Sequence, residues 1–353
     1  MVSHDRPATR LATRLAFLVA GFGIACWAPL VPFAKQRLGV DDATLGLLMF
    51  CIGIGSLVAM QFTGVLCARH GAKPAMVAGG LGLTVTLPLL SVAMTPPTLA
   101  GALLCFGASL GTLEVATNLH AVEVERAARR PLMSGFHALF SIGGFAGAAL
   151  MTFLLSSNLE PLACTLCCAA IMLVLVIIAW PRLLTGAEGE KGPFFVMPRG
   201  IVLLIAGLAA ATFLAEGALL DWSALLITGA GLVPAAKGGV GYMLFAIAMT
   251  FGRLTGDAVT ARIGDRPTLF WSGVLAVVGF VVLLTAQAAA LAMAGFLLIG
   301  LGASNIVPML FRKAGSQTVM PPALAIGAMT TAGYAGILAG PAAMGLVSKA
   351  VGL

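Results

Sequence analysis

Long apolar segments separated by short polar connections make up most of this chain of 353 residues. A membrane-spanning helix needs about 20 predominantly apolar residues. Prolines such as Pro74, Pro131 and Pro161 stand at or just before the starts of these segments, where proline fits the first helical turn. We predict an all-α integral membrane protein with about eleven spans, at residues 14–34, 43–67, 74–94, 98–121, 133–156, 161–181, 199–224, 237–258, 267–287, 290–311 and 323–347.

The composition favours lipid rather than water as the main solvent. Apolar residues make up 60% of the chain and charged residues 9%, and the mean hydropathy is +1.05. A soluble domain of this length needs a larger polar surface. The net charge of +7 comes from short basic clusters between apolar segments, which is typical of membrane orientation. We therefore expect contact with a lipid bilayer and no nucleic-acid partner.

The basic residues also predict the orientation. If the N-terminus is cytoplasmic, the inner connections carry 15 Lys and Arg residues and the outer ones carry 4, and Arg253 lies within a span, which accounts for all 20. Cytoplasmic connections of membrane proteins carry an excess of Lys and Arg. We predict a multi-pass protein of the plasma (inner) membrane with its N-terminus in the cytoplasm.

A repeated heptapeptide divides the chain into two related halves. The pattern A-R-x-G-x-[KR]-P occurs at residues 68–74 and again at 261–267, an offset of 193 residues. Repeats of this kind are typical of transporters built from two similar bundles. We predict an N-terminal six-helix bundle at 1–182, a cytoplasmic linker at 183–198, and a C-terminal bundle with five helices at 199–353.

The repeat also predicts a helix that the sequence does not contain. The offset places Leu353 opposite Glu160, just before the sixth span, so that span has no counterpart in the second half. We expect a truncated twelve-helix design, and the alternative is an eleven-span form.

This layout resembles the major facilitator superfamily (MFS) of secondary transporters. The loop signature of that family is approximately G-x-x-x-D-[RK]-x-G-[RK]-[RK], and Ala68 stands here where the family carries its acid. The resemblance implies two pseudo-symmetric six-helix bundles with a small-molecule solute as the partner. We call the residues that match or accompany the signature the cytoplasmic latch, and they are Gly64, Arg69, Gly71, Lys73, Arg253, Asp257, Arg262, Gly264 and Arg266.

Three further stretches are similar to the YbjJ-like branch of this superfamily, which is distantly related to fucose-permease-type sugar transporters. They are residues 114–125, 130–144 and 216–223. The similarity extends over essentially the whole chain and indicates the fold. It leaves the substrate open.

Titratable groups inside the predicted spans are the first candidates for substrate binding or coupling. An ionised group near the bilayer centre costs about 2.5–3.5 kcal/mol, so few are kept without a function. Buried carboxyl groups can bind and release protons, which is what proton coupling requires. The candidates of this kind are Glu114, His137, Glu216, Asp221 and Arg253, and Asn118, Asn305 and Trp27 are candidate polar or aromatic contacts.

Structural roles remain open for each of these candidates. Gly107, Gly111, Glu114 and Asn118 share one helix face, and small residues at such spacing are also typical of tight helix packing. His137 and the asparagines can form interhelical hydrogen bonds, and Asp221 can end a helix. The basic residues of the cytoplasmic latch either hold the halves in one conformation or only set the orientation.

The motif search favours transport over catalysis. The chain has no G-x-x-x-x-G-K-[ST] motif for ATP and no H-E-x-x-H metal motif, and the Cys164–Cys168 cluster lacks His or carboxylate neighbours. We expect no cofactor, no metal and no enzyme activity. We predict a monomeric secondary transporter that moves a small solute by alternating access, coupled to protons. The alternative is a non-transporting receptor or an inactive transporter fragment.

Overall fold

Helices form nearly all of the protein that the structure describes. The computed structural model describes residues 7–185, 198–234 and 237–351, so most of the predicted linker at 183–198 lies outside the described residues. The helices are α1 (Pro7–Trp27), α2 (Val31–Leu38), α3 (Asp42–His70), α4 (Ala72–Val92), α5 (Pro96–Ala128), α6 (Met133–Ser156), α7 (Pro161–Ala179), α8 (Ile201–Gly229), α9 (Val240–Ile263), α10 (Asp265–Leu284), α11 (Ala289–Ala303), α12 (Ile306–Ser316) and α13 (Pro322–Val351).

The all-helical membrane prediction is confirmed. Within the described ranges, ten stretches of helix are long and apolar enough to cross a membrane. The first combines α1 with α2, and another combines α11 with α12. Helix α9 is not among the ten, because Arg253 and Asp257 lower its hydropathy, but its 24 residues extend over about 36 Å at 1.5 Å per residue. The protein is a multi-pass membrane protein.

The chain divides into two compact units. Unit 1 comprises the described parts of residues 1–129, 139–199 and 315–331, and unit 2 comprises those of 130–138, 200–314 and 332–353. These units differ from the predicted halves in two segments. The first residues of α6 group with unit 2, and the first part of α13 groups with unit 1. Each of these two helices therefore contributes to both units.

A close seam of unit 1 runs between α3 and α5. Ser56 donates a hydrogen bond from Oγ to the Gly107 carbonyl oxygen at 2.8 Å. A methyl group added at Gly107 would overlap the Ile52 carbonyl, and one added at Gly111 would lie 2.6 Å from the Ser56 carbonyl oxygen. Small residues allow such backbone approach in a bilayer, where helix association depends on packing rather than on exclusion of water. The small-residue stripe of α5 therefore faces α3.

A buried histidine ties the end of the N-terminal half to this bundle. His120 of α5 is fully buried, and its Nε2 accepts a hydrogen bond from the Leu184 backbone N–H at 3.0 Å. Because Nε2 is the acceptor, Nδ1 carries the proton and donates to Thr13 Oγ1 at 3.1 Å. Thr13 in turn donates to the Thr9 carbonyl oxygen. This chain of hydrogen bonds fixes where the connecting segment leaves unit 1.

Unit 2 has an apolar core made by α8, α9, α10 and α11. Leu219, Ile227, Phe245, Phe296 and Ile299 are among the buried side chains of this core. The predicted span at 290–311 is interrupted by a turn at residues 304–305, between α11 and α12. Proline 308 has no backbone N–H to bond the carbonyl four residues earlier, which explains why the helix breaks at this point.

The α3–α5 seam generates a matched prediction. Gly107→Ala should lower the free energy of unfolding by about 1–3 kcal/mol, because the added methyl group overlaps the backbone of α3. Gly101→Ala in the same helix has no neighbour within 4 Å and should be neutral or stabilising by up to about 1 kcal/mol. Melting temperatures of both variants in detergent measure the difference, and equal melting would contradict the close seam.

Candidate functional site

The first turn of α6 is held on α9 by a carboxylate. The Ser134 backbone N–H donates to Asp257 Oδ1 at 3.0 Å, and the Gly135 backbone N–H donates to Oδ2 at 2.7 Å. The first N–H groups of a helix have no partner within the helix, and the helix dipole favours negative charge at this end. Asp257 therefore satisfies two backbone donors and matches the dipole of α6.

Asn305 makes a second connection to the same turn. Its Oδ1 accepts a hydrogen bond from Ser134 Oγ at 2.7 Å. Its Nδ2 donates to the Gly252 carbonyl oxygen at 3.3 Å and to Ser304 Oγ at 3.0 Å. The buried amide thus joins α6, α9 and the break between α11 and α12. The sequence predicts Asn305 as a solute contact, but these protein groups engage both of its donors and its acceptor.

Two glycines of α9 make room for this connection. A methyl group added at Gly256 would overlap the Asn305 side chain, and one added at Gly252 would overlap Ser304 Oγ. Residues 252–257, which read G-R-L-T-G-D, therefore combine two close-approach positions with the carboxylate that holds α6. Larger side chains at either glycine would push Asn305 and α12 away from α9.

Arg312 extends the network to the start of α10, and sequence reasoning missed its role. Its guanidinium contacts Asp265 Oδ1 at 2.6 Å and Asp257 Oδ1 at 4.0 Å. The pair with Asp265 is exposed on the carboxylate side, so it stabilises less than a buried pair would. No spacing pattern in the sequence links Arg312 to either aspartate, because the three residues lie on three different helices.

The 193-residue offset of the repeat relates the Asp257 contact to a contact in unit 1. By this offset, Gly64 is equivalent to Asp257, and Ser134 is equivalent to Gly327. In unit 1, Gly64 and Gly327 also meet, since a methyl group added at Gly327 would lie 3.5 Å from Gly64 Cα. The two repeats thus place a helix crossing at equivalent positions. One crossing has a pair of glycines, and the other has a carboxylate that accepts backbone hydrogen bonds.

The repeated heptapeptide forms the same turn in both halves. Gly71 has φ 75° and ψ 173°, and Gly264 has φ 84° and ψ 169°. Both values of φ lie in the region that favours glycine. Each glycine also donates its backbone N–H to a carbonyl four residues earlier at 2.9 Å. The basic latch residues Arg69, Lys73, Arg262 and Arg266 flank these turns.

A group of titratable side chains lies deeper in unit 2. Arg253 and His137 are 7% and 8% exposed, and the His137 ring stacks on Phe311 with 5.5 Å between centroids. Arg253 is one helical turn before Asp257 on α9. Among the described residues, Glu216 Oε1 of α8 is buried and has no hydrogen-bond partner.

The remaining candidates are placed separately. In unit 1, Asn118 Nδ2 donates to the backbone carbonyl of Glu114 at 2.9 Å, one turn earlier in the same helix. Trp27 is buried at the end of α1, and its Nε1 has no hydrogen-bond partner in the described part of the chain. Asp221 lies in α8, but its side chain is outside the described residues.

Comparisons with known proteins agree with this architecture. The family model for the Major Facilitator Superfamily matches residues 14–352. An uncharacterized MFS-type transporter of Yersinia pestis is 48% identical over 341 residues, which is 96% of this chain and 89% of that protein.

Two solved structures share the fold at low sequence identity. One is the MFS transporter FucP in the outward conformation, with a TM-score of 0.80 and 15% identity over 99% of this chain and 94% of that chain. The other is the proton:xylose symporter XylE, with a TM-score of 0.78 and 12% identity over 97% of this chain and 88% of that chain. The match over nearly the whole length and the close bacterial relative show that the chain is a transporter rather than an enzyme, and that it belongs to the Major Facilitator Superfamily.

Proposed function

We propose that this protein is a proton-coupled secondary transporter that moves a small solute by alternating access. Glu216 carries this proposal, because it is a carboxyl side chain inside a helix that can span the membrane, and one of its oxygens is buried with no hydrogen-bond partner among the described residues. Such an acid changes its charge when it binds a proton. Its location in a membrane helix is otherwise costly, at about 2.5–3.5 kcal/mol for an ionised group.

We assign candidate solute contacts within each unit by itself. In unit 1 these are Glu114, Asn118 and Trp27, because they are polar or aromatic groups on helices α1 and α5. In unit 2 we assign Glu216 and Asp221 of α8 and His137 of α6. Asn305 has a positioning role instead, because its amide already holds the break in the helix. We further propose that the protein is a monomer in the inner membrane and that its N-terminus lies in the cytoplasm.

Proton coupling predicts the effect of neutralising the two acids. Glu216→Gln and Glu114→Gln should each abolish accumulation of solute driven by a pH gradient, because the amide cannot take up a proton at neutral pH. Downhill exchange of solute should persist. Transport into proteoliposomes with an imposed pH gradient measures both.

Glu160→Gln is the matched control, since Glu160 is exposed at the start of α7. It should accumulate solute like the parent. If both Glu216→Gln and Glu114→Gln also did so, the coupling assignment would be wrong.

The solute itself can be identified through ligand-induced stabilisation. A solute that binds only the folded protein raises the free energy of unfolding by about 2.7 kcal/mol at 100 times its Kd. Sugars, amino acids, organic acids and efflux drugs form a suitable panel for melting in detergent. We expect a shift confined to one chemical class, and a cooperative melt that no class shifts would count against transport.

We further propose that the cytoplasmic latch acts through Asp257. The carboxylate holds the first turn of α6 by two backbone hydrogen bonds, and Arg312 joins it to Asp265. Charge-assisted bonds of this type are about twice as strong as neutral ones. The basic residues at the repeated turns, Arg262 and Arg266 among them, would support the latch without touching solute.

The latch proposal predicts a local loss of protection. Asp257→Ala should destabilise the docked first turn of α6 by about 1–2 kcal/mol, as loss of a helix-capping side chain does. Hydrogen exchange at residues 133–138 should then be about 5- to 30-fold faster. Asp265→Ala is the control, because it removes the partly exposed pair with Arg312 and leaves both backbone bonds intact. Equal exchange in the two variants would refute the latch.

A further inference from the structure

The first membrane-spanning stretch is interrupted near its end. Helix α1 ends at Trp27, a 3₁₀ turn follows at Ala28–Leu30, and α2 begins at Val31. Pro29 and Pro32 have no backbone N–H, so two helical hydrogen bonds are missing across this turn. Helix breaks of this kind are where one part of a helix can change direction relative to the other.

Helix α1 is fixed on its side of the turn. A methyl group added at Gly21 would overlap the Phe140 carbonyl oxygen of α6. One added at Gly147 of α6 would overlap the Phe22 carbonyl oxygen. Cys26 Sγ also donates to the Gly147 carbonyl oxygen at 3.7 Å. Helix α1 therefore packs closely on α6 almost up to its last residue.

Helix α2, on the other side of the turn, has little packing of its own. Of its eight residues, all of which the structure describes, only Ala34 is buried. An open cavity of about 430 Å³ lies beside it, lined by Phe33 and Arg37 of α2 together with residues at the end of α4 and the start of α7. A segment that buries so little apolar surface gains little from the hydrophobic effect, so its position depends on other contacts.

Arg37 makes such a contact. Its Nε donates to the Ala93 carbonyl oxygen at 2.9 Å, and its Nη2 donates to the Leu90 carbonyl oxygen at 2.8 Å. Both acceptors lie at the end of α4, where the last carbonyl groups have no partner within the helix and the helix dipole favours a positive charge. The planar guanidinium binds the two carbonyls as a fork, and it connects α2 to α4 next to the cavity.

The far end of α2 is a second turn. Gly39 follows α2 with φ 63°, in the left-handed region that favours glycine. Asp41 then caps α3, since the Thr44 backbone N–H donates to Asp41 Oδ1 at 2.8 Å. Helix α3 thus has its own N-terminal cap, and α2 is a short helix between two turns.

We propose that α2 is a hinged strap and that Arg37 is the positioning residue that keeps it closed against α4. The strap pivots at Ala28–Leu30, so α1 keeps its place when the strap opens. Trp27 stands directly before the pivot. It is 3% exposed, and its Nε1 has no hydrogen-bond partner among the described residues. Opening of the strap makes this indole N–H accessible from the end of the bundle where α1 ends.

The inference rests on the proposed function for its role in transport, in which Trp27 is a solute contact, but the strap itself can be tested without a solute. Hydrogen exchange of the purified full chain in nanodiscs, corrected for intrinsic rates, reports local opening. In Arg37→Gln, residues 33–38 should exchange about 10- to 100-fold faster than in the parent, because hydrogen bonds from a charged group are lost. Residues 13–26 should keep the protection of the parent.

Two further variants separate the fork from a general effect of substitution. Arg37→Lys keeps the charge but not the planar fork, so its exchange should be intermediate. Gln36→Ala is the control, because Gln36 is exposed on the same helix, and it should exchange like the parent.

Fluorescence quenching by acrylamide reports the exposure of Trp27 directly. The contribution of Trp27 is the difference between each protein and the same protein carrying Trp27→Phe. Quenching of this contribution should be stronger in Arg37→Gln than in Gln36→Ala, because the strap no longer stays closed.

Two results would overturn the strap. One is equal exchange of residues 33–38 in cooperatively melting Arg37→Gln and Gln36→Ala. The other is faster exchange of residues 13–26 together with 33–38, which would mean that α1 and α2 move as one helix. A strap that opens without stronger quenching of Trp27 would refute its link to the solute contact. Failure of the Glu216→Gln and Glu114→Gln predictions would refute the proposed coupling and leave the strap standing.

Discussion

A helix end that is buried in protein needs hydrogen-bond partners for its backbone N–H groups, because water does not reach them. In unit 2 this requirement falls on the first turn of α6, whose N–H groups would otherwise be unsatisfied at its helix end. Asp257 supplies two acceptors, and Asn305 anchors Ser134 from the break between α11 and α12. Gly252 and Gly256 allow these contacts to form, because a larger residue at Gly252 would displace Ser304 and one at Gly256 would displace Asn305.

The equivalent crossing in unit 1 satisfies the requirement differently. Helix α13 begins at Pro322, whereas the 193-residue offset would start it at residue 326, one turn later. The first turn of α13 therefore begins one helical turn before the position that is equivalent to the start of α6. Position 68, where the family signature carries its acid, is likewise one turn beyond Gly64. With Ala68 there and Gly64 against Gly327, the unit 1 crossing depends on backbone packing rather than on a charge.

The sequence predicted the bounds of the helices better than it predicted which helices contact each other. Helix α6 was predicted at 133–156 and extends over Met133–Ser156, because a proline precedes it and a polar stretch follows it. The heptapeptide marked two equivalent connections, but only the structure shows that Gly71 and Gly264 form the same turn there. Hydropathy reports which solvent a helix meets but not which helix it contacts, so it could not assign the start of α6 to unit 2.

The candidate site shows the same limit at the level of single residues. The stripe of Gly107, Gly111 and Glu114 was visible as a shared face, but only the structure shows that its glycines pack on α3. Arg253 was predicted both as a titratable group inside a span and as a latch residue, and the structure shows that it is buried one helical turn before Asp257. Arg312 and Ser304 gave no signal, since their roles depend on contacts between helices far apart in the chain.

The strength of the Asp257 contact suits a device that must open as well as close. A bond of about 1–2 kcal/mol changes a two-state population by a factor of about 5–30, whereas moving a population from 1:99 to 99:1 needs about 5.5 kcal/mol. The contact alone therefore biases the first turn of α6 toward docking without fixing it there.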